Sequence, residues 1–91
     1  MFVIYILQSL KDGRTYVGFS SDVKKRLTEH NHGAVNATKN RRPFKILFTE
    51  RAENITQAKK REKYWKSGAG RRKLKSFFEN GFPFVNDASV V

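Results

Sequence analysis

Five residues of the types used in hydrolytic chemistry form a set that could act together; they are Tyr5, Tyr16, Arg26, His30 and Glu62. Tyrosine hydroxyls can orient a water molecule, and a planar guanidinium suits the oxygens of a phosphate. A carboxylate oxygen is a ligand that Mg²⁺ accepts while it keeps most of its waters. Together these side chains predict cleavage of a phosphodiester bond with the help of one metal ion.

The arginine and the histidine share a predicted helix. N-cap residues before the segment and a glycine after it predict a helix from about Val23 to Asn31. At about 100° per residue, Arg26 and His30 fall on the same face as Val23 and Leu27. The face that is turned inward therefore carries two polar groups. Taken alone, they could equally be an arginine that extends to solvent and an ordinary histidine at the edge of the core.

The glutamate interrupts the apolar stripe of a second predicted helix. Ile55, Ala58 and Trp65 recur at helical spacing, and Glu62 stands between them. A carboxylate in such a stripe is costly unless it is paired or bound to a cation. Two interpretations remain open on the pattern alone. One is a structural ion pair, for which Arg26 is a candidate partner, and the other is a ligand for a divalent cation.

Both tyrosines fall in a predicted β-hairpin. The Lys11-Asp12-Gly13 turn joins an apolar run to a segment rich in β-formers, so residues 2–19 are expected to form two paired strands. Tyr5 and Tyr16 could be simple packing residues there, although a buried hydroxyl needs a partner. Gly18 inside a strand indicates close approach of another group. The hairpin is therefore a candidate floor for a phosphate.

The remaining elements give an α+β fold class. We expect a small three-stranded antiparallel or mixed sheet flanked by helices, in the order ββαβαα. Residues 1–81 would be one domain and residues 82–91 a C-terminal tail that packs in part through Phe82 and Phe84. The further elements are an exposed basic loop over 34–43, a strand over Phe44–Thr49, a helix from Asn54 to about Lys66, a break at Ser67-Gly68-Ala69-Gly70 and a third helix that ends at Asn80.

The charge of the chain indicates a polyanionic partner. Nineteen Lys and Arg stand against eight Asp and Glu, which gives a formal net charge of +11. Nucleic acid is the expected partner, with acidic lipid, an acidic protein or the ribosome as alternatives. The predicted nucleic-acid contacts are Gly18, Lys39, Arg41, Arg42, Lys59, Lys63, Lys66, Arg71 and Arg72.

The absence of cysteine excludes disulfides and cysteine-based zinc sites. The first residues do not resemble a signal peptide, and no run is long enough to cross a membrane. We therefore expect a cytoplasmic protein with no membrane partner, and a monomer.

The string from Val3 to His30 resembles the GIY-YIG nuclease domain. It holds Tyr5, Tyr16-Val17-Gly18, Asp22, Arg26, Leu27 and His30 at the separations of that family, and Glu62 is similar to the family's helical metal-binding glutamate. The resemblance covers about residues 2–78. It is closest to small single-domain members related to the N-terminal domain of the excinuclease C subunit. The family's first glycine is Val3 here, and Phe19 stands where some members have a lysine.

The resemblance implies a role for each of the five residues. Tyr16 would help activate or orient the attacking water, and Tyr5 would position water or the scissile phosphate. Arg26 would stabilise the pentacovalent transition state, and His30 would hydrogen-bond a tyrosine or a phosphate. Glu62 would hold one Mg²⁺ or Mn²⁺ ion. An unperturbed tyrosine is a poor base at neutral pH, since its pKa is near 10.

The implied activity is a metal-dependent DNA endonuclease, linked to DNA repair or recombination. RNA stays open as a substrate. Two alternatives are kept beside it: a non-catalytic module that binds branched DNA or RNA on the same fold, and an interaction protein for ribosomal or membrane surfaces.

Overall fold

The computed structural model describes residues 1–82 of the chain. It has the predicted order ββαβαα, and its three strands form one antiparallel sheet. The expectation of an α+β fold is therefore confirmed, and the sheet is antiparallel rather than mixed. The elements are β1 Phe2–Ser9, β2 Thr15–Ser20, α1 Val23–Asn31, β3 Phe44–Ala52, α2 Ile55–Lys66 and α3 Gly68–Asn80.

The central strand β1 separates two packed layers, because successive side chains of a strand point to opposite faces. Ile4 and Ile6 pack in a cluster with the buried residues of α2 and α3. Tyr5 and Leu7 pack in a second cluster with Val23 of α1. The strand order is β2-β1-β3, so β2 lies at an edge of the sheet. Residues from both layers can therefore meet around β2.

The third strand is longer than its sequence indicates. Pairing with β1 continues beyond Thr49 to Glu50, Arg51 and Ala52. The charged residues at the end of this strand show no alternation of apolar and polar side chains, so the sequence did not predict its full length. In the folded chain the backbone of β1 supplies their hydrogen bonds, and this overrides the weak local preference.

Helices α2 and α3 are joined at a single residue. Ser67 ends α2 and begins α3, and its hydroxyl accepts a hydrogen bond from the Gly70 backbone N–H. A side chain at Gly70 would bring a Cβ atom within 2.2 Å of the Tyr64 carbonyl oxygen. The glycine therefore allows the first turn of α3 to lie against the last turn of α2. The predicted break is present, but Gly68 and Gly70 belong to the next helix.

The loop that was expected to be exposed over 34–43 is anchored at two places. Thr38 is fully buried, and the Ser9 hydroxyl donates a hydrogen bond to the Arg41 carbonyl. The expectation of an exposed loop is therefore wrong for its centre. No periodicity marks this anchoring, because the partners lie far away in sequence.

The end of the described chain packs on α3 as expected. The Phe82 ring lies 5.5 Å from the Phe77 ring and 5.0 Å from the Phe78 ring, centroid to centroid. Phe84 lies outside the described residues. Within residues 1–82, no helix combines the length and the apolar character needed to cross a membrane.

Candidate active site

The Tyr5 side chain lies across Gly18 of the neighbouring strand. The two residues are cross-strand partners, and a Cβ atom at Gly18 would lie 2.6 Å from the Tyr5 hydroxyl oxygen. The close approach that the glycine predicted is therefore made by a tyrosine. A direct contact between Gly18 and nucleic acid stays a prediction, and the packing of Tyr5 accounts for the glycine without it.

His30 connects the Tyr5 hydroxyl to the loop after α1. Its Nε2 atom lies 3.1 Å from the Tyr5 hydroxyl oxygen, and its Nδ1 atom lies 2.7 Å from Thr38 Oγ1. Thr38 in turn donates to the Val35 carbonyl at 3.4 Å. Tyr5, His30 and Thr38 are all at least 98% buried. Both ring nitrogens of His30 are thus bound to partners, as a buried imidazole requires.

Electrostatics keep this group of residues uncharged apart from Arg26. Burial, together with the nearby positive charge of Arg26, lowers the pKa of His30 to about 4. Burial raises the pKa of Tyr5, while the nearby Arg26 guanidinium lowers it in part. At neutral pH the imidazole and the Tyr5 phenol are therefore both neutral.

Arg26 and Tyr16 lie on either side of this buried group. The Arg26 guanidinium is half-buried and pairs with Glu29 at 3.2 Å. The nearby Tyr5 hydroxyl raises the pKa of Arg26. The Tyr16 ring meets the His30 ring edge to face, with 5.0 Å between centroids. No residue of the described chain hydrogen-bonds the Tyr16 hydroxyl, so this hydroxyl can bind water or a ligand.

Glu62 approaches the same group from the other layer. Its negative charge contributes to the raised pKa of Tyr5. Its side chain is 28% exposed and pairs with Lys66 at 3.6 Å. The sequence left two interpretations of Glu62 open, a structural ion pair and a cation ligand. In the structure Glu62 forms an ion pair, and its partner is Lys66 rather than Arg26. Ile55, which was placed on the same stripe, is exposed.

The side chains near the site could bind a divalent cation in one way only. Among residues 1–82, no cluster of three or more His, Asp or Glu side chains could surround a metal ion. Glu62 would therefore be a single protein carboxylate, and water and substrate phosphate would supply the other ligands. Mg²⁺ and Mn²⁺ accept oxygen ligands of this kind, and Glu62 is open enough for them to reach it.

A basic cleft begins beside Tyr16. A small depression is lined by Tyr16, Trp65, Lys66 and Arg71. It shares Arg71 with a larger cleft of about 710 Å³, whose lining includes Arg14, Arg41, Arg71, Leu74, Lys75 and Phe78. Within residues 1–82, no carboxylate pairs with Arg14, Arg71 or Lys75. We use the name basic cleft for this set of residues together with the depression.

The predicted nucleic-acid contacts do not all lie along the basic cleft. Lys66, Arg71 and Arg41 line it, but the guanidinium of Arg41 is engaged by Asp12 at 3.2 Å and by the Thr15 carbonyl at 3.3 Å. The other predicted cations are exposed but line neither part of it; they are Lys39, Arg42, Lys59, Lys63 and Arg72.

The sequence analysis gave no role in the site to three residues that lie near it. Thr38 binds His30, and Asn31 holds the start of β3 by hydrogen bonds to both backbone groups of Phe44. Trp65 lines the depression, and its buried indole N–H has no acceptor in the described part of the chain. A lone polar residue after a predicted helix gives no sequence signal of such long-range bonds. Phe19, where some family members have lysine, packs on Phe2 with 6.0 Å between ring centroids.

Known proteins are similar to this chain in sequence. A UPF0213 protein of Staphylococcus saprophyticus is 38% identical over 77 residues, which cover 84% of this chain and 93% of the relative. A UPF0213 protein of Desulfotalea psychrophila is 36% identical over 86 residues, which cover 90% of this chain and 77% of the relative.

A solved structure is similar in fold. The solution NMR structure of the UPF0213 protein BH0048 from Bacillus halodurans superimposes with a TM-score of 0.53 at 30% identity, over 91% of this chain and 89% of that chain. The family model described as the GIY-YIG catalytic domain matches residues 1–75, a span that holds all five residues with which the sequence analysis began. Members of that family are generally endonucleases. The chain therefore belongs to the GIY-YIG family.

Proposed function

We propose that this protein is a divalent-metal-dependent endonuclease that hydrolyses phosphodiester bonds in DNA. The observation that carries the proposal is the convergence of Tyr5, Tyr16, Arg26 and His30 around one buried hydrogen-bonded group, with Glu62 close enough to affect the pKa of Tyr5. The family's general activity supports the same reaction class.

Tyr16 is the group assigned to the attacking water. Its hydroxyl is half-buried and has no partner among the described residues, whereas the Tyr5 hydroxyl is held by His30. Tyr16 would orient the water while a bond forms between the water oxygen and phosphorus. As that bond forms, the bond from phosphorus to the leaving oxygen breaks.

Arg26 is the group assigned to the charge of the transition state. Its guanidinium is half-buried, lies near Tyr5 and is held by Glu29, so it can face phosphate oxygens with little reorganisation. A metal ion held by Glu62 would supply Lewis-acid stabilisation of the phosphoryl group and the leaving oxygen. Tyr5, bound to His30, would position water or phosphate beside that arginine.

The basic cleft is assigned to the strand that flanks the cut. It extends from Tyr16 past Lys66 and Arg71 to Lys75, so cations follow directly from the reacting groups. Phosphates along one strand match this series of donors.

The proposal is tested by conversion of supercoiled plasmid DNA to the nicked form in Mg²⁺, with Tyr16→Phe and Glu62→Gln beside the wild type. We expect both variants to lose at least about a hundredfold in rate, the size that follows removal of a group acting in the transition state. Tyr64→Phe and Glu53→Gln are the matched controls, since these residues lie outside the site. Equal nicking by all five proteins would overturn the assignment.

A non-catalytic nucleic-acid-binding module is the second candidate. The observation that favours it is the ion pair between Glu62 and Lys66, which occupies the carboxylate that a metal would need. Under this function the protein would bind DNA or RNA with strong dependence on salt and cut neither. Parallel assays on plasmid DNA and on labelled RNA, with Mg²⁺, Mn²⁺ or chelator, separate the two candidates.

A further inference from the structure

A single chain of three buried polar groups runs through the site. It starts at the Tyr5 hydroxyl, passes through the His30 ring and continues to the Thr38 hydroxyl. The Val35 carbonyl beyond Thr38, at 3.4 Å, can only accept a hydrogen bond. The partners available to the two hydroxyls decide which ring nitrogen of His30 carries the proton.

At the far end, the Thr38 proton has two possible acceptors, the Val35 carbonyl at 3.4 Å and His30 Nδ1 at 2.7 Å. When the Val35 carbonyl accepts it, the Thr38 oxygen accepts a hydrogen bond from His30 Nδ1. The proton of the neutral imidazole is then on Nδ1, and Nε2 carries a lone pair. Because His30 and Thr38 are fully buried, no solvent molecule relaxes this requirement at low cost.

At the near end, Tyr5 gives the same direction. The Tyr5 hydroxyl is buried, so its proton needs an acceptor within the protein. Among the described residues, Nε2 of His30 at 3.1 Å is the acceptor available. A proton on Nε2 would leave the buried Tyr5 hydrogen without one, which is costly. The near end therefore selects the arrangement in which Nδ1 donates to Thr38 and Thr38 donates to Val35.

We infer that Thr38 is a positioning residue: its hydroxyl accepts a hydrogen bond from Nδ1 and so stabilises the Nδ1–H tautomer of His30, which directs the Tyr5 hydroxyl proton to the imidazole. The lone pairs of the Tyr5 oxygen are then free for the nearby Arg26 guanidinium. Tyr16, which is outside the chain of three groups, is left as the tyrosine that can contact water. The catalytic part of this inference rests on the proposed function, and the tautomer does not.

The tautomer is measured directly by NMR. In protein labelled with ¹⁵N histidine at pH 7, the two ring nitrogens of a neutral imidazole differ in chemical shift according to which one is protonated. We expect the proton on Nδ1 in the wild type and in Thr38→Ser, and a shift towards Nε2 in Thr38→Val. His32 is exposed and provides an internal reference in the same spectrum. A wild-type proton on Nε2, or an unchanged tautomer in Thr38→Val, overturns the inference.

Activity measurements give the second readout. Thr38→Val should lower kcat on the order of tenfold, as expected for a lost buried hydrogen bond, with KM changed less than about twofold. Thr38→Ser should restore kcat to within about threefold of wild type. Thr28→Val, the same change at an exposed threonine of α1, is the control. Loss of kcat in Thr38→Ser equal to that in Thr38→Val contradicts the positioning role.

The design separates this inference from the proposed function. If no protein nicks DNA under any condition, the proposed function fails while the NMR result still decides the tautomer. If Thr38→Val does not fold, the wild-type and Thr38→Ser spectra alone decide it, because each must place the proton on Nδ1.

Discussion

The Tyr5 hydroxyl oxygen occupies space that exists only because Gly18 has no side chain, since a Cβ atom there would lie 2.6 Å from it. Both residues are buried on adjacent strands, so neither backbone can move aside without breaking the pairing of β1 with β2. The glycine thus sets where the Tyr5 hydroxyl meets His30.

The first prediction is that Gly18→Ala destabilises the fold and displaces Tyr5. Overpacking of this kind costs about 1–3 kcal/mol, which denaturant unfolding would measure. In a Tyr5→Leu background the shorter side chain leaves room, and the same substitution should then cost less than half as much. An equal cost in both backgrounds would place the strain elsewhere.

The second prediction concerns Glu62. Glu62→Gln should abolish the response of nicking to Mg²⁺ and leave stability within about 1 kcal/mol of wild type, because an exposed ion pair contributes little. Lys66→Gln removes the competing cation and should lower the Mg²⁺ concentration needed for half-maximal rate. Titration of rate against Mg²⁺ for the three proteins checks both expectations. A higher Mg²⁺ requirement in Lys66→Gln would contradict competition for the carboxylate.

The third prediction concerns pH and His30. Its pKa is about 4 in the folded protein and near 6.5 in the unfolded chain. Between these values the unfolded chain binds a proton that the folded protein does not. The stability contributed by neutral His30 is therefore complete above pH 6.5 and is lost as pH falls through 4.

The size of this effect follows from the separation of the two pKa values. It amounts to about 3 kcal/mol at most across the window. Urea unfolding at pH 7, 5.5 and 4.5 should give a slope that disappears in His30→Gln and persists in His32→Gln. The same slope in both variants would assign the pH dependence to other groups.

The fourth prediction concerns the basic cleft. Removing Arg71 and Lys75 together, as glutamines, should weaken DNA binding and lower the slope of log affinity against log salt by about 1 for each lost phosphate contact. Lys45→Gln is the matched control, because Lys45 is exposed on β3 at the opposite edge of the sheet. Binding is measured by fluorescence anisotropy in the presence of a chelator, which removes the metal ion and so keeps the DNA uncut. An equal effect of Lys45→Gln for each charge removed would mean that net charge alone decides binding.

The sequence predicted the fold, and which residues lie in the candidate site, more completely than it predicted the contacts between those residues. The helical arc placed Arg26 and His30 inward, and His30 is fully buried while Arg26 is half-buried. Periodicity reports which face of an element is covered, so this part could be derived. It placed Ile55 on a covered face as well, but the first turn of α2 lies beyond the packed layer and Ile55 is exposed.

Thr38 and the partner of Glu62 could not be predicted in this way. The contacts of Thr38 depend on how one element lies against another. The partner of Glu62 depends on which of two cations it pairs with. Lys66 is one helical turn from Glu62, and the local pair forms in preference to one with Arg26. The burial of Thr38 depends on how the chain after α1 returns over His30, which no local pattern records.

The direct connection of α2 to α3 at Ser67 has a consequence for where a bound strand would be cut. With α2 and α3 closely apposed at Gly70, there is no linker through which Glu62 and Arg71 could change their separation. Under the proposed function, the pair of helices is then a rigid spacer between the metal ligand and the first phosphate contact. The number of nucleotides from that contact to the cut would be a constant of the fold, unchanged by the base sequence of the substrate.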